Sequence, residues 1–259
     1  MTQATTSRRD RLRAATIDEI KSTARRLLVA EGVSGVSLRA IGREMGMTAA
    51  ALYRYYPSLE ALVTALCVDL FDECSQSMEL ARDGYQPAEL ACRLYAVCRE
   101  FRSWSVAHPA EFGLMFGSPL PSLGDPIGPA DTKKHAAGAR FSNVFAESFA
   151  GVWQRAPFWI PSDEEIAPDL RQQLRTYLDG LGADLPLGAA QVFLSCWIRL
   201  YGLVALEVFG HLRFALTDVE PMFEAELHSF ARLLGLDPTA VAPVEEPPVD
   251  HPFQSAPSS

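Results

Sequence analysis

The sequence has no apolar run of the length that an uncharged transmembrane helix needs, which is about 18 residues. Its most apolar stretch, from Phe193 to Leu212, is interrupted by Arg199 and Glu207. Several arginines lie near the start of the chain, but no apolar segment follows them, which is not the pattern of a secretory signal peptide. We therefore expect no membrane partner and a cytoplasmic location.

Cysteine is scarce, and its spacing disfavours the common sites that are built on it. The five cysteines are an odd number without a CxxC pair, which argues against a disulfide framework and a structural zinc site. Cys67 and Cys74 lie on one face of a predicted helix, which leaves a thiol redox sensor open, although such cysteines are more often small buried apolar groups. The five histidines are scattered without metal-ligand spacing. The sequence predicts neither a metal nor a cofactor.

Catalytic motifs are also missing from the sequence. It contains no nucleophile elbow, no glycine-rich phosphate loop and no nicotinamide-binding fingerprint. No short window holds the dense cluster of Asp, Glu and His that an enzyme of similar composition would need for acid–base chemistry. We therefore expect a protein that is not an enzyme.

Charge is distributed unevenly along the chain. Lys and Arg total 23 and Asp and Glu total 32, a net charge of −9 that by itself argues against a nucleic acid partner. Residues 1–60 reverse this balance, with ten basic and six acidic residues and a net charge of +4. The remaining residues carry 13 basic against 26 acidic side chains, a net charge of −13. The sequence predicts a small basic head on a large acidic body.

The chain has no convincing stretch of alternating apolar and polar residues, so strands are not expected, whereas apolar residues recur at helical spacing. The predicted fold class is all-α, with an N-terminal three-helix domain and a larger helical domain. Composition divides the chain into a mobile basic arm (1–14), a head (15–60), a body (61–237) and a disordered tail (238–259) rich in Pro, acid and Ser.

The head contains the motif on which the functional prediction depends, LRAIGREMGMTAAALYRYY over residues 38–56. Gly42 is small enough to let a second helix approach, and Gly46 can adopt the left-handed conformation that ends a helix. Thr48 can cap a further helix over Thr48–Tyr56, which Pro57 ends. This is the spacing of a helix-turn-helix, although an ordinary helical hairpin with a glycine turn reads similarly. The basic surroundings and the small outward residues favour a DNA-binding element.

The segment SLRAIGREMGMTAAALYRYYPSLEALVTAL, together with the helix before it, resembles the N-terminal domain of TetR/AcrR-type transcriptional regulators over residues 16–66. The resemblance implies an all-helical dimer with three DNA-binding helices, a connecting fourth helix and a C-terminal domain for ligand binding and dimerisation. The implied DNA-binding residues are Ser37, Arg39, Thr48, Ala49, Ala50, Tyr53, Arg54 and Tyr55.

The resemblance also implies a role for each of these residues. Arg39 and Thr48 contact the DNA backbone or bases, and the two alanines face the groove. Tyr53 and Tyr55 bind phosphate, and Ser37 caps the second helix and touches phosphate. The chain departs from the family at Leu59, where a lysine often meets a phosphate. Arg54 or the arginine-rich arm would then supply the missing cation.

The body resembles, over residues 107–117 and 196–212, the subgroup whose C-terminal domain is named for a Trp-His-Gly pattern. The pattern is present as Trp197, Tyr201 and Gly202, with tyrosine in place of the usual histidine. An apolar ligand pocket between helices is expected. Its candidate residues are Trp104, Phe112, Met115, Phe116, Trp153, Trp197 and Tyr201.

Two late helices are expected to pair with their symmetry mates, because a helix that is apolar around much of its circumference needs partners on two sides. The candidate dimer-interface residues are Val204, Val208, Phe223, Leu227 and Phe230. The same residues could instead close the core of one protomer.

Taken together, these patterns predict a ligand-responsive DNA-binding regulator, in the repressor mode that is usual in the family. It would bind a palindromic double-stranded DNA operator as a homodimer, and a small apolar effector would release it. A helical dimeric adaptor, or a redox-sensing regulator without a small-molecule ligand, is the alternative. The adaptor would not require the basic head.

Overall fold

The computed structural model describes residues 7–117 and 132–237, and within these ranges it contains ten α-helices and no β-strand. The prediction of an all-α fold is confirmed. The predicted tail and residues 1–6 of the predicted arm lie outside the described residues. The helices are α1 (Arg8–Glu31), α2 (Leu38–Met45), α3 (Ala49–Leu52), α4 (Leu59–Asp83), α5 (Leu90–Ala107), α6 (Pro109–Phe116), α7 (Thr132–Arg155), α8 (Pro168–Leu181), α9 (Leu187–Val208) and α10 (Glu220–Leu233).

Helices α1, α2 and α3 form the head, and their buried side chains belong to the hydrophobic core that continues into the body. Ile20 on α1, Ile41 on α2 and Leu52 on α3 are fully buried. Their spacing along each helix places one apolar side against the other two helices, as the sequence pattern predicts. The head therefore presents α2 and α3 on its outside while α1 supports them from within.

The first helix begins earlier than the sequence pattern predicts. Arg8 is already helical, so residues 8–14 belong to α1 and are not a mobile arm. Ser7 caps the helix, because its hydroxyl accepts the Asp10 N–H at 3.2 Å. Asp10 adds a negative charge to the first turn, where the helix dipole favours one.

The third helix is shorter than predicted, spanning four residues instead of the predicted Thr48–Tyr56. Beyond Leu52 the chain tightens, since the Arg54 and Tyr55 N–H groups bond to carbonyls only three residues back. Pro57 disfavours helical geometry at the residue before it. Tyr53, Arg54 and Tyr55 therefore lie on a turn.

The body is organised around α4, the 25-residue helix that leaves the head and packs against α5 and α7. Leu62, Leu66, Leu70 and Met78 line the buried side of α4. Helix α9 crosses behind them and contacts α5, α7, α8 and α10. A second, smaller core under α8 consists of Ile166, Leu174, Leu178, Leu187 and Ala190.

One arginine of the head joins it to the body. Arg25 on α1 donates to both carboxylate oxygens of Glu73 on α4, at 2.6 and 3.0 Å. Its Nε donates to Glu111 on α6 at 3.0 Å, and Glu111 is only 5% exposed. The Trp104 indole on α5 donates to Glu73 at 3.2 Å. This head–body junction therefore ties four helices together through charged hydrogen bonds, which are stronger than neutral ones.

The ion pair between Arg25 and Glu73 shifts the pKa values of both groups. The hydrogen bond to Glu73 raises the pKa of Arg25 further above its already high value. Burial acts to raise the pKa of Glu73, but the hydrogen bond and charge of Arg25, together with the Trp104 hydrogen bond and the charge of His108, outweigh it, so the pKa of Glu73 is lower than usual. Both groups are charged when the junction is formed.

We predict that Gly42→Ala destabilises the protein. An added Cβ would lie 2.7 Å from the Met47 carbonyl oxygen, closer than real Cβ contacts, so α2 and the following turn would have to separate. Overpacking of this kind costs about 1–3 kcal/mol of unfolding free energy. Urea unfolding followed by circular dichroism measures the loss.

The matched control is Gly180→Ala on α8, where an added Cβ meets nothing within 4 Å. This change should leave stability unchanged or raise it by up to about 1 kcal/mol, because alanine is the better helix former. Equal effects of the two substitutions would contradict the close approach at Gly42.

We predict that Glu73→Gln makes the protein less sensitive to acid. Because the folded pKa of Glu73 lies below its unfolded value, ionised Glu73 stabilises the fold above about pH 4.3, and this stability is lost as the pH falls through the folded pKa. The unfolding midpoint of the unsubstituted protein should therefore drop more between about pH 5.5 and pH 3 than that of the variant. Glu19→Gln, at an exposed carboxylate of α1, is the control. Parallel profiles for Glu73→Gln and the unsubstituted protein would contradict the ionic junction.

Candidate nucleic-acid interface

The turn between α2 and α3 is built by two glycines. Gly46 adopts the left-handed conformation, with φ 65° and ψ 24°, and ends α2. The Met47 N–H then donates to the Gly42 carbonyl at 2.8 Å, which closes the turn against α2. The two short helices therefore have the tight connection that the sequence pattern predicts for a helix-turn-helix.

Ser37 and Thr48 cap the two helices of this motif. The Ser37 hydroxyl accepts the Ala40 N–H at 3.1 Å, and the Thr48 hydroxyl accepts the Ala51 N–H at 3.2 Å. Each hydroxyl uses an oxygen lone pair for the cap, so its own O–H can still donate to a phosphate oxygen. The capping geometry therefore permits both roles that the sequence assigns to Ser37.

The outer face of the motif is accessible. Ala50, Arg39 and Arg54 are exposed, and Tyr53 is 56% exposed. Ala49 is half-buried, so it offers less of its surface than the sequence pattern suggests. The structure therefore brings an exposed methyl group, two guanidinium groups and a phenol hydroxyl to one end of the head.

Tyr55 differs from Tyr53 because another part of the chain covers it. The Arg13 guanidinium lies 5.2 Å from the centre of the Tyr55 ring, within the range of a cation–π contact. The same guanidinium donates to the Arg54 carbonyl oxygen at 3.3 Å. The beginning of α1 is therefore held against the turn that follows α3.

The cations of the head fall into two groups. Lys21, Arg25 and Arg26 each pair with a carboxylate of the same chain. Arg39 and Arg43 on α2 and Arg54 on the turn after α3 are all exposed. No described carboxylate pairs with them. The positive charge of α2 and of this turn is therefore left for an external anion, such as the phosphate backbone of DNA.

Arg43 and Arg13 also belong to this surface, although neither is among the individual DNA-binding residues that the resemblance implies, and Arg13 enters the prediction only as part of the arginine-rich arm. Arg43 lies on the same helix as Arg39 and one turn beyond it, so helical spacing alone could have found it. Arg13 lies more than forty residues before Tyr55 in the sequence, and only the packing of α1 brings the two together.

The aromatic residues predicted to line a ligand pocket divide into separate groups. Phe112, Phe116, Trp197 and Tyr201 share one cluster, with ring centres 4.8 Å apart for the two phenylalanines and 5.6 Å apart for Trp197 and Tyr201. Met115 is half-buried beside this core.

The two remaining pocket candidates lie elsewhere. Trp104 instead stacks on His108 at 4.8 Å and binds Glu73 in the junction. Trp153 packs on Phe158 at 5.0 Å, away from the cluster. Trp104 and Trp153 therefore do not share the cluster of Phe112, Phe116, Trp197 and Tyr201, and their role in a ligand pocket stays a prediction.

The interior of the body holds a small apolar cavity of about 30 Å³ between α5, α7, α9 and α10. Of the predicted pocket residues only Trp197 lines it, and the lining includes Tyr95, Cys98, Phe145, Phe149, Phe193 and Cys196. A larger apolar space of about 180 Å³ lies between α7 and α8. Phe149 and Phe193, whose ring centres are 5.3 Å apart, line both spaces.

Most of the predicted dimer-interface residues point into the protomer. Val204, Phe223, Leu227 and Phe230 are buried within the described chain, and Val208 is half-buried. The Leu227 carbonyl accepts the Tyr95 hydroxyl at 3.0 Å, which seats α10 against α5. The prediction for the four buried residues is therefore wrong, because α10 uses its apolar side to close its own core.

Two further features concern metal ions and membranes. In residues 7–117 and 132–237, no group of three or more His, Cys, Asp or Glu side chains could hold a metal ion. Helix α9 is the one described helix long and apolar enough to span a membrane by length and composition, and it packs against four other helices of this fold.

Comparison with known families decides the assignment. The family description "Bacterial regulatory proteins, tetR family" matches residues 20–66, and "Tetracyclin repressor-like, C-terminal domain" matches residues 94–230. The chain belongs to the TetR family. TetR-family members are DNA-binding transcriptional regulators, so the predictions of a regulator and of a protein that is not an enzyme are confirmed. The Trp-His-Gly subgroup stays a prediction.

Individual relatives cover most of the chain. The HTH-type transcriptional regulators Mb1846 of Mycobacterium bovis and Rv1816 of Mycobacterium tuberculosis are each 30% identical over 222 residues. Each alignment covers 83% of this chain and 91% of the relative. The crystal structure of SCO4313 is 27% identical, with a TM-score of 0.65, and the match covers 86% of this chain and 98% of that one.

We predict that Tyr53→Phe weakens DNA binding about tenfold, since the lost hydroxyl would remove one hydrogen bond to a charged phosphate. The loss should be the same on every DNA sequence, because a phosphate contact carries no base information. Fluorescence anisotropy with several labelled duplexes measures it, and Tyr177→Phe in the body is the control. A changed sequence preference would contradict the phosphate role of Tyr53.

Proposed function

We propose that this TetR-family protein is a ligand-responsive repressor, which binds a palindromic operator as a homodimer and leaves it when a small apolar effector binds the body. The observation that carries this proposal is that Arg39, Arg43 and Arg54 are exposed beside α3 and pair with no described carboxylate. The head that holds them is joined by ion pairs to a body that contains apolar cavities. Such a protein acts on chromosomal DNA, so we place it in the cytoplasm.

DNA binding uses the outer face of the helix-turn-helix. Ala49 and Ala50 approach base edges and thymine methyl groups, because small side chains let the helix backbone come close to the major groove. Arg39 and Thr48 contact the backbone or base edges, and Tyr53, Tyr55 and Ser37 contact phosphate. Arg54 supplies a cation near the position where Leu59 replaces the usual lysine. The acidic body repels DNA, which leaves the basic head as the attractive face.

The homodimer forms on one face of α9. Ser195, Ile198, Gly202 and Leu206 recur at spacings of three or four residues, so they share a face of the helix. Ile198 is 67% exposed and Leu206 is 41% exposed, and a Cβ at Gly202 would meet nothing within 4 Å. Large exposed apolar side chains around a glycine suit the close approach of the same helix from a second copy, as a two-fold interface requires.

The effector acts through contacts that connect the cavity with the head. Trp197 lines the cavity and stacks on Tyr201, whose ring centre is 5.4 Å from that of Phe116 on α6. Helix α6 also carries Glu111, the buried partner of Arg25 on α1. A molecule that enlarges the cavity therefore displaces α6 and, through the junction, the head. It changes DNA affinity only by the difference in its own affinity for the two arrangements.

Three of the five thiols, those of Cys74, Cys98 and Cys196, do not support the alternative of a redox sensor. Burial raises the pKa of Cys98 to about 12 and that of Cys196 to about 11, and burial also raises the pKa of Cys74. The reactive thiolate is therefore rare at neutral pH for all three. The adaptor alternative gives no reason for the exposure of Arg39, Arg43 and Arg54, which pair with no described carboxylate.

The first experiment measures binding of the protein to DNA immediately upstream of its own gene by fluorescence anisotropy over a salt series. We expect tight binding to a palindromic fragment, with an affinity that falls steeply as salt rises. In a two-fold dimer the recognition helices must lie about 34 Å apart, or a multiple of that distance, so two half-sites are required. Weak binding that is equal on random DNA would contradict the operator function.

Ile198→Glu tests the dimer in the same assay. A charge placed on the apolar face should convert the dimer to a monomer in analytical ultracentrifugation and abolish tight binding to the palindrome. Gln173→Glu, which adds the same charge at an exposed position of α8, should change neither measurement. A dimer that survives Ile198→Glu would contradict the α9 interface.

A further inference from the structure

The first two turns of α1 carry a row of arginines in a fixed position. Arg8, Arg9 and Arg13 are exposed and helical, and the helix that carries them is anchored farther along by the buried Ile20 and Leu27. The cap from Ser7 holds the first turn in place. These cations are therefore presented by a rigid helix, so little conformational entropy is lost when they bind a ligand.

The same two turns lie beside the DNA-reading segment. Arg13 contacts the Tyr55 ring and the Arg54 carbonyl, both directly after α3. Arg9 lies one helical turn before Arg13 on the same face of α1, about 6 Å farther along the helix axis. Arg8 neighbours it at the helix start. The row therefore extends the cationic surface of the recognition segment beyond α3.

The charges of the row are available to a ligand. Among the described residues, no carboxylate pairs with Arg8, Arg9 or Arg13, in contrast to Lys21, Arg25 and Arg26 on the same helix. Asp10, the acidic residue of the first turn, is engaged by the Ser7 hydroxyl at 2.7 Å. Guanidinium groups that face solvent in a row are suited to the phosphates of a DNA strand, which repeat regularly along the duplex.

We propose that Arg8 and Arg9 at the start of α1 form a second DNA contact, which binds backbone phosphates next to the bases that α3 reads. Arg13 is the positioning residue that holds this end of α1 against Tyr55 and Arg54. The contact adds positive charge to a head that has Leu59 where the family often has a lysine. It rests on the proposed DNA binding of the head, but it requires neither the operator sequence nor the effector.

The test compares Arg9→Gln with the unsubstituted full-length protein by anisotropy on operator and random duplexes over a salt series. Each lost phosphate contact should lower the magnitude of the slope of log K against log salt by about 0.9, and Arg8→Gln together with Arg9→Gln should lower it by about twice as much. Affinity should fall equally on both duplexes, since phosphates carry no base information. Arg9→Lys should retain the slope, because its charge remains.

Arg26→Gln is the matched control, since it removes one positive charge from the same helix at a residue that already pairs with Glu44. Its slope should equal that of the unsubstituted protein. A slope for Arg9→Gln that matches this control would overturn the proposal. If the unsubstituted protein binds the operator and random duplexes equally, that result would contradict the proposed function. The salt slopes measured on random DNA would still test the phosphate contact of α1.

Discussion

The Arg25 guanidinium joins the head to two helices of the body. It binds Glu73 on α4 and Glu111 on α6 at once, and Glu111 is buried. A buried carboxylate is costly unless it is paired, so α6 and α1 are held together by the penalty that separation would incur. Trp104 completes the arrangement from α5. The junction therefore ties α6 of the body directly to the helix that supports the DNA-binding motif.

The positive charge that is available to DNA lies in one region of the molecule. Near the junction the cations of the head are neutralised by carboxylates of the same chain, which makes this region a structural contact. Arg39, Arg43 and Arg54 near α3, and Arg8, Arg9 and Arg13 at the start of α1, have no carboxylate partner among the described residues. Because the body is strongly acidic, the attractive potential for DNA is confined to one end. A chain with a net charge of −9 can thus present a basic surface.

The aromatic residues of the body show why a binding pocket is difficult to derive from sequence. Phe112, Phe116 and Tyr201 meet in one cluster, while Trp153, which follows the same helical spacing as other residues of α7, turns to Phe158. Spacing predicts which side of a helix is apolar, but it does not say which neighbour fills that side. The same reason explains why Phe223, Leu227 and Phe230 close their own core, while Ile198 and Leu206 on α9 remain exposed.

The sequence by itself determined the helix-turn-helix, because its signals are local. Gly42, Gly46 and the caps at Ser37 and Thr48 act within a few residues, and the structure forms the turn with the same groups. Tertiary structure alone decided that Arg13 meets Tyr55, that Arg25 joins three helices and that four predicted interface residues are internal. These contacts join residues that are far apart in the chain, and their geometry is set by how whole helices pack, which no local spacing specifies.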